Sequence, residues 1–186
     1  MIRSMIDEQF PEMTTSRFLL RRIVATDIEN IFKGLSHPDV IRYYGISYTS
    51  LAATQAQMDW YAQLERTGTG IWWAIVSPGD NLFCGAAGLS SLHAQHKKAE
   101  LGLWLLPGYW GQGIMPEVIP FICRYAFEQL GLHRIEAQVE TENINCKAVM
   151  RKLGFTYEGC MRDCEIKDGK FISLEIYALL HTGTPA

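Results

Sequence analysis

Hydrophobic residues follow two different spacings along the chain. In some segments apolar residues recur every three or four positions, and this predicts helices at about 26–37, 50–68, 114–130 and 145–153. Other segments are rich in branched and aromatic residues, and these predict strands at 16–24, 70–77, 82–92, 98–106 and 133–139, with a closing hairpin over 157–180. The hairpin is expected to turn at Asp168-Gly169.

The order of these elements predicts a sheet of mixed direction. A strand, a helix and a strand in succession over residues 98–139 imply a right-handed crossover between neighbouring parallel strands, whereas the hairpins give antiparallel pairs. We therefore expect an α/β (α+β) fold, in which a mixed, mostly antiparallel sheet of about seven strands is flanked by about four helices. No repeat or linker divides the sequence, so residues 1–186 are expected to form a single domain with an ordered core at about 15–180.

Composition excludes several classes of protein. The formal net charge of -3 does not favour a nucleic-acid surface, and no window reaches the roughly 18 apolar residues of a membrane span. The five cysteines lack the paired spacing of a zinc site and are odd in number, so neither a disulfide framework nor a metal is expected. We predict a cytoplasmic protein that binds no metal, nucleic acid or membrane.

The stretch LLPGYWGQGIMPEV, at 105–118, lies where a predicted strand meets a predicted helix. Gly111 and Gly113 allow close backbone approach, and the following amides can point at phosphate oxygens with the helix dipole behind them. Alternatively, the glycines only make the turn. A Walker loop is excluded because Gly113 is followed by Ile114 and Met115 rather than by Lys and Ser or Thr.

Several motifs occur together in a recognisable order. The sequence AELGLWLLPGYWGQGIMPEVI, followed by RIEAQVETENINCKAVMRKLGFTYEG, resembles the GNAT superfamily of N-acetyltransferases, in the branch of Rim-type ribosomal-protein N-terminal acetyltransferases. The resemblance extends over nearly the whole chain. It implies a sheet that is splayed between the LGLWLL and RIEAQV strands, with acetyl-CoA as co-substrate in the split.

The resemblance also implies which residues bind. Pantetheine would pair with the backbone of Leu103, Trp104 and Leu105. The pyrophosphate would lie on the loop residues Trp110, Gly111, Gln112, Gly113, Ile114 and Met115. Asn143 would contact the pantetheine arm, and Tyr43 and Tyr44 would border the acceptor. The chain departs from the family pattern at Met115, whose side chain is expected to pack away from the loop, and at Cys146, which replaces a serine.

Acetyl transfer from a thioester to an amine needs a neutral amine, an oxyanion stabiliser and a proton source for the leaving thiolate. Strand alternation places Glu100 on one face with Gly102 and Trp104, which makes Glu100 the first candidate for the base. Alternatively, Glu100 pairs with the neighbouring Lys97 or Lys98.

Two further residues are candidates for the chemistry. Glu136 is the second candidate base and a possible substrate contact. Cys146 is a candidate thiol donor to the departing CoA sulfur; a covalent acetyl-cysteine is disfavoured because no histidine lies nearby in the sequence.

These observations predict an acetyl-CoA-dependent N-acetyltransferase, an acyltransferase that works by direct transfer in a ternary complex. The first expectation for the acceptor is the N-terminal amine of a protein such as a ribosomal protein. The alternatives are a small amine (an amino acid, a polyamine or an antibiotic) or a non-catalytic acyl-CoA-binding module. The protein is expected to be a monomer or a homodimer.

Overall fold

A computed structural model describes residues 10–182. The strands are β1 (Met13–Thr14), β2 (Leu19–Arg22), β3 (Ile71–Ser77), β4 (Leu82–His93), β5 (Lys98–Leu105), β6 (Arg134–Glu140), β7 (Thr156–Lys167) and β8 (Lys170–Leu180). The helices are α1 (Ile28–Leu35), α2 (Pro38–Ile41), α3 (Leu51–Thr67), α4 (Ile114–Glu128) and α5 (Ile144–Lys152).

All these strands belong to one sheet, in the order β1-β2-β3-β4-β5-β6-β8-β7. Within the described residues, β5 and β6 form the parallel pair and every other pair of neighbours is antiparallel. The helix α4 makes the crossover between β5 and β6, as the order of elements predicts. The expectation of a mixed, mostly antiparallel sheet is confirmed.

The structure adds a strand and a short helix to the elements predicted. Strand β1 is only two residues long and carries no periodic signal; it is held by pairing with Leu19 and Leu20. Residues before position 15 already pack against the sheet. Trp73 Nε1 donates to the carbonyl of Pro11 at 2.7 Å, and Phe10 packs edge-on against the Trp73 ring. Helix α2 spans a single turn, which is too short for a hydrophobic period to be read.

Pairing between β5 and β6 stops early. The two strands are in register only at Lys98 with Arg134, Ala99 with Ile135 and Glu100 with Glu136. Beyond that point β5 continues beside β4 as far as Leu105, while β6 continues beside β8 as far as Glu140. The strands therefore diverge, and the predicted splay of the sheet is confirmed.

Each face of the sheet has its own hydrophobic core. Alternation on β3 sends Trp73 to the face covered by α4 and α5, and Trp72 to the face covered by α1 and α3. On β5, Ala99 and Leu101 join the α4/α5 core, whereas Trp104 is buried in the α1/α3 core. The split between β5 and β6 is therefore open to two differently covered faces.

We expect the substitution Gly34→Ala to destabilise the fold. A Cβ at this position of α1 would overlap the buried ring of Trp104, a residue of β5. Overpacking of this kind costs about 1–3 kcal/mol, and urea unfolding measures it. Gly45→Ala is the matched control, because a Cβ there meets nothing within 4 Å. Equal unfolding free energies for the two variants would contradict the packing described for α1.

Candidate active site

The loop between β5 and α4 has a backbone that depends on two glycines. Gly111 has a φ of 73° and Gly113 has a φ of 72°, both in the left-handed region that favours glycine. Gly113 directly precedes the first residue of α4. The loop therefore turns sharply at the mouth of the split and ends at a helix N-terminus.

The amides of this loop have no partner inside the described part of the chain. The N–H groups of residues 111–115 donate no hydrogen bond to any described residue, whereas Trp110 N donates to the carbonyl of Pro107 at 3.1 Å. Pro116 has no N–H and ends the run of donors. Free amides at a helix N-terminus, with the helix dipole behind them, suit an anionic group.

Side chains hold the loop against its surroundings. Trp110 Nε1 donates to the carbonyl of Leu105 at 2.9 Å, and Gln112 Nε2 donates to the carbonyl of Gly108 at 2.8 Å. The side chains of Ile114 and Met115 point into the α4/α5 core, and Met115 is only 6% exposed. The Met115 side chain thus packs inward, as the sequence predicts for this departure from the family pattern.

A carboxylate in the first turn of α4 anchors the loop to the start of the chain. Glu117 accepts hydrogen bonds from Thr15 Oγ1 at 2.6 Å, Ser16 Oγ at 2.8 Å, and Arg17 N and Nε at 2.9 and 2.6 Å. Arg17 Nη1 also donates to the carbonyl of Gln112 at 3.1 Å. Sequence reasoning missed this anchor; an acidic residue in a first helical turn is its only local signal, because the partners lie about 100 residues away.

Glu100 lies at the last residue pair before the strands diverge. Alternation puts its side chain on the α1/α3 face with Trp104, opposite Ala99 and Leu101. It makes no hydrogen bond or ion pair with any residue from 10 to 182. Burial raises the pKa of Glu100, and the negative charges of Glu136 and Glu165 raise it further.

Glu136, its neighbour across the strand pair, is an ionised carboxylate held by two cations. Arg134 Nε contacts Glu136 at 2.6 Å and Lys98 Nζ contacts it at 3.2 Å. Burial favours a higher pKa for Glu136, but these hydrogen bonds outweigh burial and the pKa falls below its usual value. Because Lys98 pairs with Glu136, the alternative in which Lys98 neutralises Glu100 is not what the structure shows.

The predicted acceptor residues lie on the α1/α3 face. Tyr44 packs against the core of that face, and its pKa is raised well above the usual value by burial, with contributions from the nearby Tyr61, Tyr48 and Glu100. Tyr43 instead lies under the guanidinium of Arg42, 5.2 Å from Arg42 Cζ to the ring centroid. The structure therefore brings Tyr44 toward Glu100 and stacks Tyr43 against Arg42.

Asn143 and Cys146 lie together at the start of α5. Asn143 Oδ1 accepts a hydrogen bond from Cys146 N at 3.1 Å and so caps the helix. Burial raises the pKa of the Cys146 thiol to about 11, so this group is protonated at neutral pH. A protonated thiol is a poor nucleophile and retains a proton to donate.

Neither a metal centre nor a membrane span is found in the part of the chain that the structure describes. Over residues 10–182, no three His, Cys, Asp or Glu side chains are grouped so as to hold a metal ion. The helices of the same range are too short or too polar to cross a bilayer.

The Glu117 anchor predicts a specific loss of stability in acid. Burial favours a higher pKa, but the hydrogen bonds from residues 15–17 lower the pKa of Glu117 to about 2. A carboxylate with a lowered pKa stabilises the fold above its unfolded pKa, and this contribution disappears as pH falls from about 4.5 toward about 2. Over that pH range the unfolding free energy of the wild type should fall by about 2 kcal/mol more than that of Glu117→Gln, as measured by urea unfolding. Parallel pH profiles would contradict the anchor.

A family model described as an acetyltransferase (GNAT) domain matches residues 17–156. The uncharacterized N-acetyltransferase YoaA of Bacillus subtilis is 33% identical over 172 residues, which cover 92% of this chain and 97% of YoaA.

Solved structures agree in fold. RimL, a ribosomal-protein alpha-N-acetyltransferase in complex with coenzyme A, matches with a TM-score of 0.81 and 21% identity over 91% of this chain and 98% of RimL. Spermidine N-acetyltransferase from Vibrio cholerae, in complex with CoA and spermine, matches with a TM-score of 0.79 and 20% identity. The match covers 89% of this chain and 96% of that protein. The splayed sheet, the matched family model and the full-length relative together show that this chain belongs to the GNAT family of acetyltransferases.

Proposed function

We propose that this GNAT protein transfers the acetyl group of acetyl-CoA directly to a primary amine. The observation that carries the proposal is the position of Glu100, a carboxylate with no ion-pair partner among residues 10–182, where β5 and β6 diverge. A base of raised pKa at that position can take a proton from an ammonium held in the split.

Acetyl-CoA would lie in the split, with its pantetheine arm along the β6-facing edge of Leu103, Trp104 and Leu105. This edge has no strand partner among the described residues, since β6 pairs with β5 only as far as Glu100. The Leu105 carbonyl already accepts from Trp110, whereas Leu106 N donates to Cys84 of β4. Because alternate residues turn their backbone groups to opposite edges, Trp104 faces β4 and Leu103 supplies the available backbone groups. Asn143 uses Oδ1 as a cap and has its amide nitrogen left for the arm.

The pyrophosphate would bind the amides of Gly111, Gln112, Gly113, Ile114 and Met115. The absence of partners for these amides among the described residues supports this proposal. The Trp110 amide donates within the chain, so its part is to brace the loop through the indole.

In the transfer, Glu100 accepts the proton of the amine, directly or through water, and the neutral nitrogen attacks the thioester carbonyl. The C–S bond then breaks, and the CoA sulfur leaves with a proton from the Cys146 thiol. The nitrogen loses its second proton as the amide forms, and this proton restores the Cys146 thiol. Glu136 is the weaker candidate for the base because Arg134 and Lys98 hold it ionised. We assign it to electrostatic contact with the acceptor side of the site.

For the acceptor we propose the N-terminal amine of a protein, as the name of RimL states for that relative. A small amine is the second candidate, because Glu100 and Glu165 place negative charge on the same face and suit a cationic acceptor. A non-catalytic acyl-CoA-binding module is disfavoured, since such a module has no use for an unpaired carboxylate beside the split.

An acceptor screen tests the proposal. Thiol release from acetyl-CoA is measured with ribosomal-protein N-terminal peptides and with amino acids, polyamines and aminoglycosides. Glu100→Gln should lower kcat about 100-fold with little change in the KM of acetyl-CoA, because a positioned base contributes about 100- to 10,000-fold. Glu165→Gln is the control, as it removes a nearby charge without removing the proposed base. Full activity of Glu100→Gln would refute the assignment.

The charge on Glu136 should set the acid limb of the pH-rate profile. This charge raises the pKa of Glu100, and the base must be ionised to act. Glu136→Gln removes the charge, so the pKa of Glu100 falls and the acid limb of kcat/KM moves to lower pH. An unchanged limb in this variant would show that another group titrates.

A further inference from the structure

One lysine at the tip of the β7–β8 hairpin contacts both the segment that follows α2 and the end of β6. Lys167 Nζ donates to the backbone carbonyl of Arg42 and to Glu140 Oε1, each at 2.5 Å. The Lys167 and Glu140 side chains are only 21% and 13% exposed. We call this three-part contact the Lys167 bridge.

The bridge lies on the same face as Glu100. Ile135, Ala137 and Val139 of β6 belong to the α4/α5 core, so Glu136 and Glu140 point to the α1/α3 face. Arg42 directly follows α2 on that face and leads to Tyr44. The bridge therefore connects the helices that lie over β5 with the far end of β6.

Both sides of the bridge reach toward the candidate base. Glu165, two residues before Lys167 on the same strand, is close enough to raise the pKa of Glu100. Tyr44, two residues after Arg42, is itself affected by the charge of Glu100. The strand from Glu136 to Glu140 rises about 13 Å, at about 3.3 Å per residue, so the bridge lies about that far along the split from Glu100.

The bridge is also the sole hydrogen bond between residues 42–50 and the hairpin among the described residues. On this face the Lys98–Glu136 ion pair joins β5 and β6 where the strands are still paired, and the bridge joins the two sides farther along, where they have diverged. Breaking it would free the Glu140 carboxylate and the Arg42 carbonyl, which are both acceptors for peptide N–H groups or basic side chains.

We propose that Lys167 determines the size of acceptor that the site admits. This inference rests on the proposed function, in which the amine reaches Glu100 from the α1/α3 face. A small amine fits between Glu100 and the bridge, whereas a polypeptide longer than about four extended residues must displace Lys167. Part of the binding energy of a polypeptide acceptor is then used to break the bridge, and its KM rises.

A series of acceptors with the same reacting amine tests this. Alaninamide, an alanine-initiated tetrapeptide amide and the corresponding octapeptide amide differ in length alone. Lys167→Met removes the bridge while keeping the length of the side chain. It should raise kcat/KM about fivefold for the octapeptide, mainly through KM, and should leave alaninamide within about twofold.

The chain offers a matched control and a conservative variant. Lys170 is the cross-strand neighbour of Lys167, and its side chain makes no hydrogen bond or ion pair among the described residues. Lys170→Met makes the same chemical change as Lys167→Met, so this variant should behave as wild type. Lys167→Arg keeps the charge and the donors and should keep wild-type length selectivity. Glu140→Gln only weakens the bridge, so it should change length selectivity in the same direction as Lys167→Met but by less. Thermal unfolding of every variant identifies any loss of the fold.

The outcomes separate the two proposals. If Lys167→Met changes kcat/KM equally for all three acceptor lengths, the role of Lys167 is overturned. The same holds if kcat/KM for the octapeptide does not rise, which includes the case in which no member of the series reacts. Calorimetry with acetyl-CoA on the same samples tests the function separately. If acetyl-CoA fails to bind, the proposed function falls as well; if it binds, only the role of Lys167 is lost.

Discussion

The early end of the β5–β6 pairing is the constraint on which the rest of the structure depends. Parallel strands that stay together would bury their edges in a continuous ladder of hydrogen bonds. Here the ladder ends at Glu100 and Glu136, and each strand then follows its own antiparallel neighbour. Two unpaired edges, a helix N-terminus and the ends of two hydrophobic cores consequently meet around one gap. The fold keeps backbone polar groups available that most sheets would use internally.

Two adjacent carboxylates acquire different properties because different cations surround them. Glu136 is held by Arg134, which is itself held by Glu158 in a bidentate contact, and by Lys98. Glu100 has no such partner in the part of the chain that the structure describes, although it lies directly across the strand pair. One carboxylate therefore remains a fixed negative charge, and that charge adds to the effect of burial in raising the pKa of its neighbour. Such a division of roles needs no special residue, only an uneven placement of arginine and lysine.

Local patterns predicted the sheet, the crossover helix and the face on which Glu100 lies, because alternation and helical spacing are properties of short segments. The glycine loop and the inward side chain of Met115 also followed from local sequence and family resemblance. The Glu117 anchor and the Lys167 bridge could not be predicted, since each joins segments about 100 residues apart or more. The commitment of the Leu105 carbonyl to the Trp110 indole is similarly a matter of three-dimensional packing, which no periodicity encodes.

The Glu117 anchor also bears on the order in which the molecule can assemble. The loop before α4 is fastened by Thr15, Ser16 and Arg17, so its conformation depends on a contact between the beginning and the middle of the chain. Contacts between residues so distant in sequence form late, since closing a long loop has a high entropic cost. During synthesis the first strands must therefore wait for α4 to emerge from the ribosome. The proposed anion-binding loop therefore takes its shape only after residues 15–17 have met α4, and affinity for an anionic ligand would report that this contact has formed.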